Sequence, residues 1–302
     1  MAPNLKFFVL LVISIFAALG VGIYFGFTLD AQNLIVDQRE DIIREIEERF
    51  DYLSNENQEL KATIESILDA NKNYEYFIDS IYEETIKNKL SGLNVVIIET
   101  NNDYMYSGVG SVLNVAGANL TSLITINDKF LDEQMLINLY NRLGLEIPEG
   151  DIVEYTVGLV TESVIEGKPN ILVSELNNEE FVKIVGLINT PVDYIIIAGG
   201  SLEAENERIN KLDRSIVSIS RKKDIGIIGI EKLDVIYSYI GNYKKFNIPT
   251  VDNIDTTMGK VSLILAMEGR PGHYGLKETA EELVPNLELP FVQHNEVRQG
   301  ND

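Results

Sequence analysis

The chain has 302 residues, 45% of them hydrophobic, with 47 acidic against 25 basic residues and a formal charge of −22. That apolar content excludes a disordered chain, and acidity without a basic stripe excludes a nucleic-acid-binding surface, because phosphates would be repelled. The lack of cysteine excludes disulfides, thiolate metal sites, iron–sulfur clusters and cysteine nucleophiles.

Residues 1–30 read as a membrane anchor. Phe7 to Leu29 (FFVLLVISIFAALGVGIYFGFTL) carries no charge. As a helix it spans about 34 Å, enough for a hydrocarbon core of about 30 Å. It is longer than the apolar core of a signal peptide, about 7–15 residues, which predicts an uncleaved single-pass helix. Lys6 and the α-amino group lie on one flank. Asp30, Asp37, Glu40 and Asp41 lie on the other. These flanks predict a cytoplasmic N-terminus, with the bulk of the chain outside the cytoplasm.

Residues 31–91 read as a coiled-coil stalk. From Val36 to Asn88, apolar or neutral residues recur three and four apart, an a/d heptad seam through Ile43, Ile46, Phe50, Leu53, Leu60, Ile64 and Ile67. Asn57 and Asn71 both fall at a positions, where a buried asparagine favours a parallel, in-register pair. Glu56 and Lys61, and Glu84 and Lys89, occupy g and e′ positions that attract between parallel chains. Glu40–Arg44 and Glu45–Arg49 are favourable i, i+4 pairs within one helix. The seam predicts a homodimer, with Gly92 as the helix stop.

Residues 92–290 alternate apolar runs with amphipathic ones. The expected strands are Asn94–Ile98, Leu120–Ile126, Tyr194–Ala198, Ile225–Ile230 and Val261–Met267. The expected helices are Ser107–Ala116, Asp132–Leu143, Ile152–Glu166, Asn178–Leu187, Glu205–Arg221 and Lys232–Lys244, with a last short one at Lys277–Leu283. Continuous Val/Ile/Leu runs suit strands buried on both faces of a parallel sheet. The alternation predicts an α/β domain, a Rossmann-like three-layer sandwich with a mostly parallel sheet. Residues 291–302 read as a flexible polar tail.

Few motifs carry chemistry. Gly108-Val-Gly110 is half of a dinucleotide loop, but position 113 is Leu, so no nucleotide cofactor is expected. Gly199-Gly200-Ser201 reads as turn chemistry. There is no Walker A sequence, no G-x-S-x-G elbow and no H-E-x-x-H, and histidine occurs only at His273 and His294. The expectation is a protein that is not an enzyme. The most distinctive stretch holds Asp252, Asn253 and Asp255, then Gly272, His273, Tyr274 and Gly275. With Val261–Met267 as a strand, the two loops fall at opposite strand ends, so a joint Asp–His metal site is not expected. Asp and Asn there suit turn caps, and His273 remains the one metal candidate.

The anchor, the stalk, the opening GLNVVII strand and the VDNID…GK-VSLILAM-EG…GHYG run resemble the MctB-type copper transporter family, also called SteB-like, over essentially the whole chain. The resemblance implies a role in copper transport or copper homeostasis. For other members it implies a cell-envelope or division scaffold acting with a thiamin-pyrophosphokinase-like partner. It implies no metal-ligand residues. Cu(I) favours thiolate or thioether ligands, whereas this chain has no cysteine and scatters Met1, Met105, Met135, Met258 and Met267 without a Met-x-x-Met pair. The partners expected are thus a second copy of the chain, the membrane and that envelope protein. No cofactor is expected, and copper enters by resemblance alone.

Overall fold

The computed structural model describes residues 5–286, and within them the side chains of all but residues 29–38, 40 and 41. The polar tail with His294, Met1 and the Glu40–Arg44 pair lie outside the described residues. The chain divides into two compact units, Met1–Glu75 and Tyr76–Asp302.

The first helix, α1 (Leu5–Ile86), runs for 82 residues. Its Leu5–Thr28 part is long and apolar enough to cross a membrane. The hydroxyls of Ser14 and Thr28 donate to the carbonyls of Leu10 and Tyr24 at 2.6 and 2.7 Å, so their polar atoms are satisfied within the helix. Further along, Arg49 meets Glu45 at 3.0 Å, the expected i, i+4 pair. The seam residues Ile46, Leu53, Leu60 and Ile67 stand exposed.

α1 stops at Ile86, before the end of the expected seam. Asn88 adopts a left-handed φ of 59° and Gly92 one of 86°, and Ile86 and Leu90 turn into the core of the second unit. Lys89 therefore leaves the helix and bonds Glu268 at 2.8 Å, while Glu84 takes Lys87 at 2.9 Å. Lys89, expected at an e′ position of the stalk helix, thus lies beyond the end of α1.

The second unit is built on a seven-stranded sheet in the order β3-β2-β1-β4-β5-β6-β7. The strands are β1 (Asn94–Glu99), β2 (Asn119–Ile126), β3 (Val182–Gly186), β4 (Tyr194–Ala198), β5 (Gly226–Ile230), β6 (Thr250–Val251) and β7 (His273–Tyr274). Among the described strands only the β2–β3 pair is antiparallel. Between β1 and β2 runs α2 (Val109–Val115). α3 (Glu133–Leu143), α4 (Ile152–Glu166) and α5 (Ile171–Asn178) precede β3. α6 (Asn206–Arg208), a π-helical turn at Ile209–Asp213 and α7 (Arg214–Lys222) link β4 to β5. α8 (Ile240–Lys245) and α9 (Thr257–Glu268) complete the set. Side chains alternate along each strand, so Ile195 and Ile197 join one core and Ile196 and Ala198 the other. The first core packs against α3, α4, α5, α7 and α8, the second against α2, α9 and the end of α1.

Four expectations fail, for physical reasons. Val261–Met267 is not a strand but the body of α9. Ser262 through Met267 are all buried, and a helix buried on every side loses the 3.6-residue period that separates it from a buried strand. Asn178–Leu187 is not a helix: α5 ends at Asn178, Glu180 turns with a φ of 61°, and Val182–Gly186 forms the edge strand β3. Lys232–Lys244 is helical only from Ile240 onward. Lys277–Leu283 forms turns rather than a helix.

The α9 assignment has a topological consequence. α2 and α9 share one face, yet one steps the sheet from β1 to β2 and the other, in the opposite direction, from β6 to β7. Their crossovers therefore have opposite hands, in a class of connection that is right-handed about 98% of the time.

The start of α9 gives a direct test. Thr256 caps it, its hydroxyl accepting from Gly259 N at 3.0 Å. Thr256→Ala is expected to cost about 1 kcal/mol in thermal unfolding followed by circular dichroism. An unchanged midpoint would restore the strand reading.

Candidate functional site

Open α/β sheets bind ligands outside the carboxyl ends of their strands, where the strand order reverses. Here that point lies between β1 and β4. Three strands carry an acid at or just after this end, and all three acids are buried. Glu99 ends β1 and accepts from Tyr106 N at 2.8 Å and from the Thr125 hydroxyl at 2.6 Å. Glu231 follows β5 and accepts from Tyr239 N at 2.9 Å, the Ser238 hydroxyl at 2.5 Å and Lys277 Nζ at 2.5 Å. Asp252 follows β6 and accepts from Leu276 N at 2.8 Å and Lys277 N at 3.0 Å. A buried carboxylate is costly unless its oxygens find donors. These find backbone amides, so the loops after β1, β5 and β7 are drawn over the edge of the sheet.

The crevice between β1 and β4 is filled from within. Asn101 Nδ2 donates to the Gly200 carbonyl at 2.7 Å, and Tyr106 Oη donates to the Gly199 carbonyl at 2.5 Å. A Cβ on Gly199 would strike the Tyr239 and Tyr243 side chains, and Gly200 holds a φ of 91° against Val235. The half dinucleotide loop does not open a cradle either. Gly108 sits in right-handed helical geometry before α2, and Gly110 packs on the Leu120 side chain.

Two further buried groups reach Thr100, Arg208 at the end of α6 and Asp213 at the end of the π-helical turn. Arg208 is 1% exposed. Its Nη1 donates to the Thr100 carbonyl at 2.5 Å, and its Nη2 meets Asp128. Asp213 is fully buried. Its Oδ1 accepts from Tyr243 Oη at 2.6 Å and the Thr100 hydroxyl at 3.2 Å, while Oδ2 has no protein partner. Burial pushes the Asp213 carboxyl up to about 7, against the pull of those hydrogen bonds and of Arg208. Burial likewise raises the Tyr106 and Tyr243 hydroxyls. Sequence reasoning missed Glu99, Glu231, Arg208 and Asp213. A signal existed for the first two, since the runs NVVIIE and GIIGIE each end on an acid.

The distinctive C-terminal stretch comes together here, and not at opposite strand ends as expected. Because α9 is a helix, β6 and β7 are parallel neighbours, pairing Thr250 with His273 and Val251 with Tyr274. Asp252 thus lies beside Gly275, where a Cβ would overlap its carboxylate. Asp255 accepts from Leu233 N at 2.9 Å. Asn253 is buried with no protein partner for either side-chain polar atom. Gly272 packs under the Tyr274 ring, and Tyr274 Oη donates to the Arg270 carbonyl at 2.9 Å. His273 is half-buried, its Nδ1 lying 3.0 Å from the Thr250 hydroxyl. Burial lowers its pKa, opposed by the nearby Glu281. Among the described residues no group of three or more His, Cys, Asp or Glu side chains could hold a metal ion. Asn57 and Asn71 are on the exposed surface of α1.

The chain combines a helix long and apolar enough to cross a membrane with an α/β unit whose crevice between β1 and β4 is filled by its own side chains. Residues 4–285 match the family described as "Copper transport outer membrane protein, MctB", and the chain belongs to that family. A search of the curated proteins finds no match.

The buried Asp213 predicts a pH dependence. Its folded pKa of about 7 lies above the unfolded value of about 3.9, so the native state holds the proton more tightly. That stability is fully present below about pH 4 and is lost as pH rises through about 7. Asp213→Asn keeps an acceptor for Tyr243 and removes the titration. Urea unfolding followed by circular dichroism should show wild type losing stability between pH 5 and 8 and the variant losing on the order of 1–3 kcal/mol less. Equal losses in both would show that Asp213 is ionised throughout.

Proposed function

We propose that this chain is a single-pass, non-enzymatic component of copper transport or copper homeostasis, with its α/β unit outside the cytoplasm. It acts through assembly rather than by chelating copper. The family match over residues 4–285 carries this reading. Copper is the cargo. Cu(I) favours soft ligands, yet Met267 is buried in the core, and Met105 and Met135 stand exposed on different elements. The apolar Leu5–Thr28 helix, with Lys6 near its start and acids beyond its end, supports a cytoplasmic N-terminus. The parallel strand order with helices on both faces supports a Rossmann-like architecture used as a binding platform. The crevice that would hold a dinucleotide is occupied by Asn101 and Tyr106.

The exposed α1 seam supports a parallel homodimer with Asn57 and Asn71 stacked across it. The same seam favours a second reading, a cell-envelope or division scaffold that docks a thiamin-pyrophosphokinase-like partner.

The test is rescue in cells lacking this gene, with chain levels matched by immunoblot. Wild type and His273→Ala are expected to restore cellular copper to normal, and a seam-broken chain with Leu60→Asp and Ile67→Asp is expected not to. Rescue by the seam-broken chain together with failure of His273→Ala would overturn the assembly reading. A copper level that wild type itself leaves unchanged would favour the scaffold.

A further inference from the structure

Nine of the eighteen described cations of the α/β unit lie within ion-pair distance of an acid. Lys211 lies 2.8 Å from Glu133, 2.8 Å from Asp151 and 3.0 Å from Glu207. Lys223 lies 2.8 Å from Glu166, Lys244 3.0 Å from Glu281, and Lys277 2.5 Å from Glu231. One surface gathers four of the cations that have no acid partner. A groove of about 890 Å³ beside α7 and α8 is lined by Arg214, Arg221, Lys222 and Lys245 and by no acid. Among the described residues these four cations form no ion pair, in a chain of formal charge −22.

The sequence builds the groove from two helix faces. On α7, Ile216 and Val217 are buried, while Arg214, Ser218 and Arg221 recur at the three- and four-residue spacing of one helical face. Basic residues in the last turn of a helix complement its dipole, which accounts for Arg221, Lys222 and Lys245 one at a time. It does not account for Arg214, or for the convergence of all four on one concavity. The arginines are also fixed in place. Arg214 lies over the Phe246 ring, 5.6 Å from its centroid, and donates to Asn210 Oδ1 at 3.1 Å. Arg221 donates to the Phe246 carbonyl at 2.6 Å. A guanidinium has five N–H donors, so each keeps several for a ligand, on a side chain whose rotamer is already paid for in part.

We propose that this groove binds an extended acidic segment of a partner protein. Two arginines and two lysines carried on two helices line the groove, a charge that complements a segment bearing several carboxylates. Asn210, Asn242 and Asn247 line the same groove. Each amide side chain offers both a donor and an acceptor, as peptide groups between the carboxylates require. Phe246, half-buried, adds apolar surface that a free phosphate or a lipid headgroup would leave unused. The groove lies outside the crevice between β1 and β4, and it needs neither copper nor the α1 seam.

The test uses the full-length chain in detergent micelles and a fluorescein-labelled octaglutamate peptide as probe, read by fluorescence anisotropy. Arg214→Ser with Arg221→Ser is expected to weaken binding at least about tenfold, from the loss of charge-assisted hydrogen bonds. Lys222→Ser with Lys245→Ser, which touches no hydrogen bond of the fold, is expected to weaken it severalfold with an unchanged melting curve. Lys168→Ser with Lys183→Ser, on other elements, is expected to leave it unchanged. No saturable binding by wild type would overturn the proposal. So would equal weakening by the Lys168 and Lys183 pair, or full retention by the Lys222 and Lys245 pair. Tighter binding of pyrophosphate, or of phosphatidylglycerol vesicles, than of the peptide would overturn it in favour of a phosphate site.

Discussion

Three buried carboxylates govern the carboxyl edge of this sheet. Glu99, Glu231 and Asp252 sit where β1, β5 and β6 end, and none can remain charged there without donors. The chain supplies those donors from its own loops. Lys277 serves two acids at once, its backbone amide on Asp252 and its ammonium on Glu231. The loops that would frame a ligand cleft in a related architecture are thereby tied down across it. The glycines complete the closure. Without a side chain at Gly199 and Gly229, the Tyr239 and Tyr243 rings settle against β4 and β5, and Tyr243 reaches Asp213 behind them. Among the described residues the crevice between β1 and β4 is thus closed by the protein's own side chains.

Much of the fold was legible where local and global signals agreed. α4 falls on its expected bounds because an N-capping Asp151 and a left-handed Gly167 bracket an apolar run. β1 and β4 were legible because strands buried on both faces read as near-continuous Val/Ile runs. α9 was not, since a helix buried on all sides gives the same unbroken run. Length did not separate the two, because the apolar stretch of α9 is short. The edge strand β3 was hidden for the opposite reason. Only Val182 of β3 is buried, and Lys183 points to solvent, so its pattern is weak in either period.

The site was legible in its parts and not in its arrangement. Asp252, Gly275 and His273 stand out in the sequence, but the reading of α9 as a strand set Asp252 and His273 apart. The parallel pairing of β6 with β7 brings Asp252 onto the Gly275 loop instead. Asp213 and Arg208 carried no sequence signal. Their burial depends on a π-helical turn that no spacing rule marks. The helical period of α1 was plain in the sequence. The helix ends at Ile86, with Asn88 left-handed and Ile86 and Leu90 buried in the core of the α/β unit.

The family match and the scattered methionines underlie the proposal that copper is handled without a chelating site. Competition for Cu(I) against a calibrated chelator, using the purified full-length chain in detergent, measures this most directly. If copper is handled through assembly, the chelator keeps all of the Cu(I) in the presence of wild type and of His273→Ala alike. One equivalent of Cu(I) retained by wild type and released by His273→Ala would contradict that account and make the His273 loop a copper site.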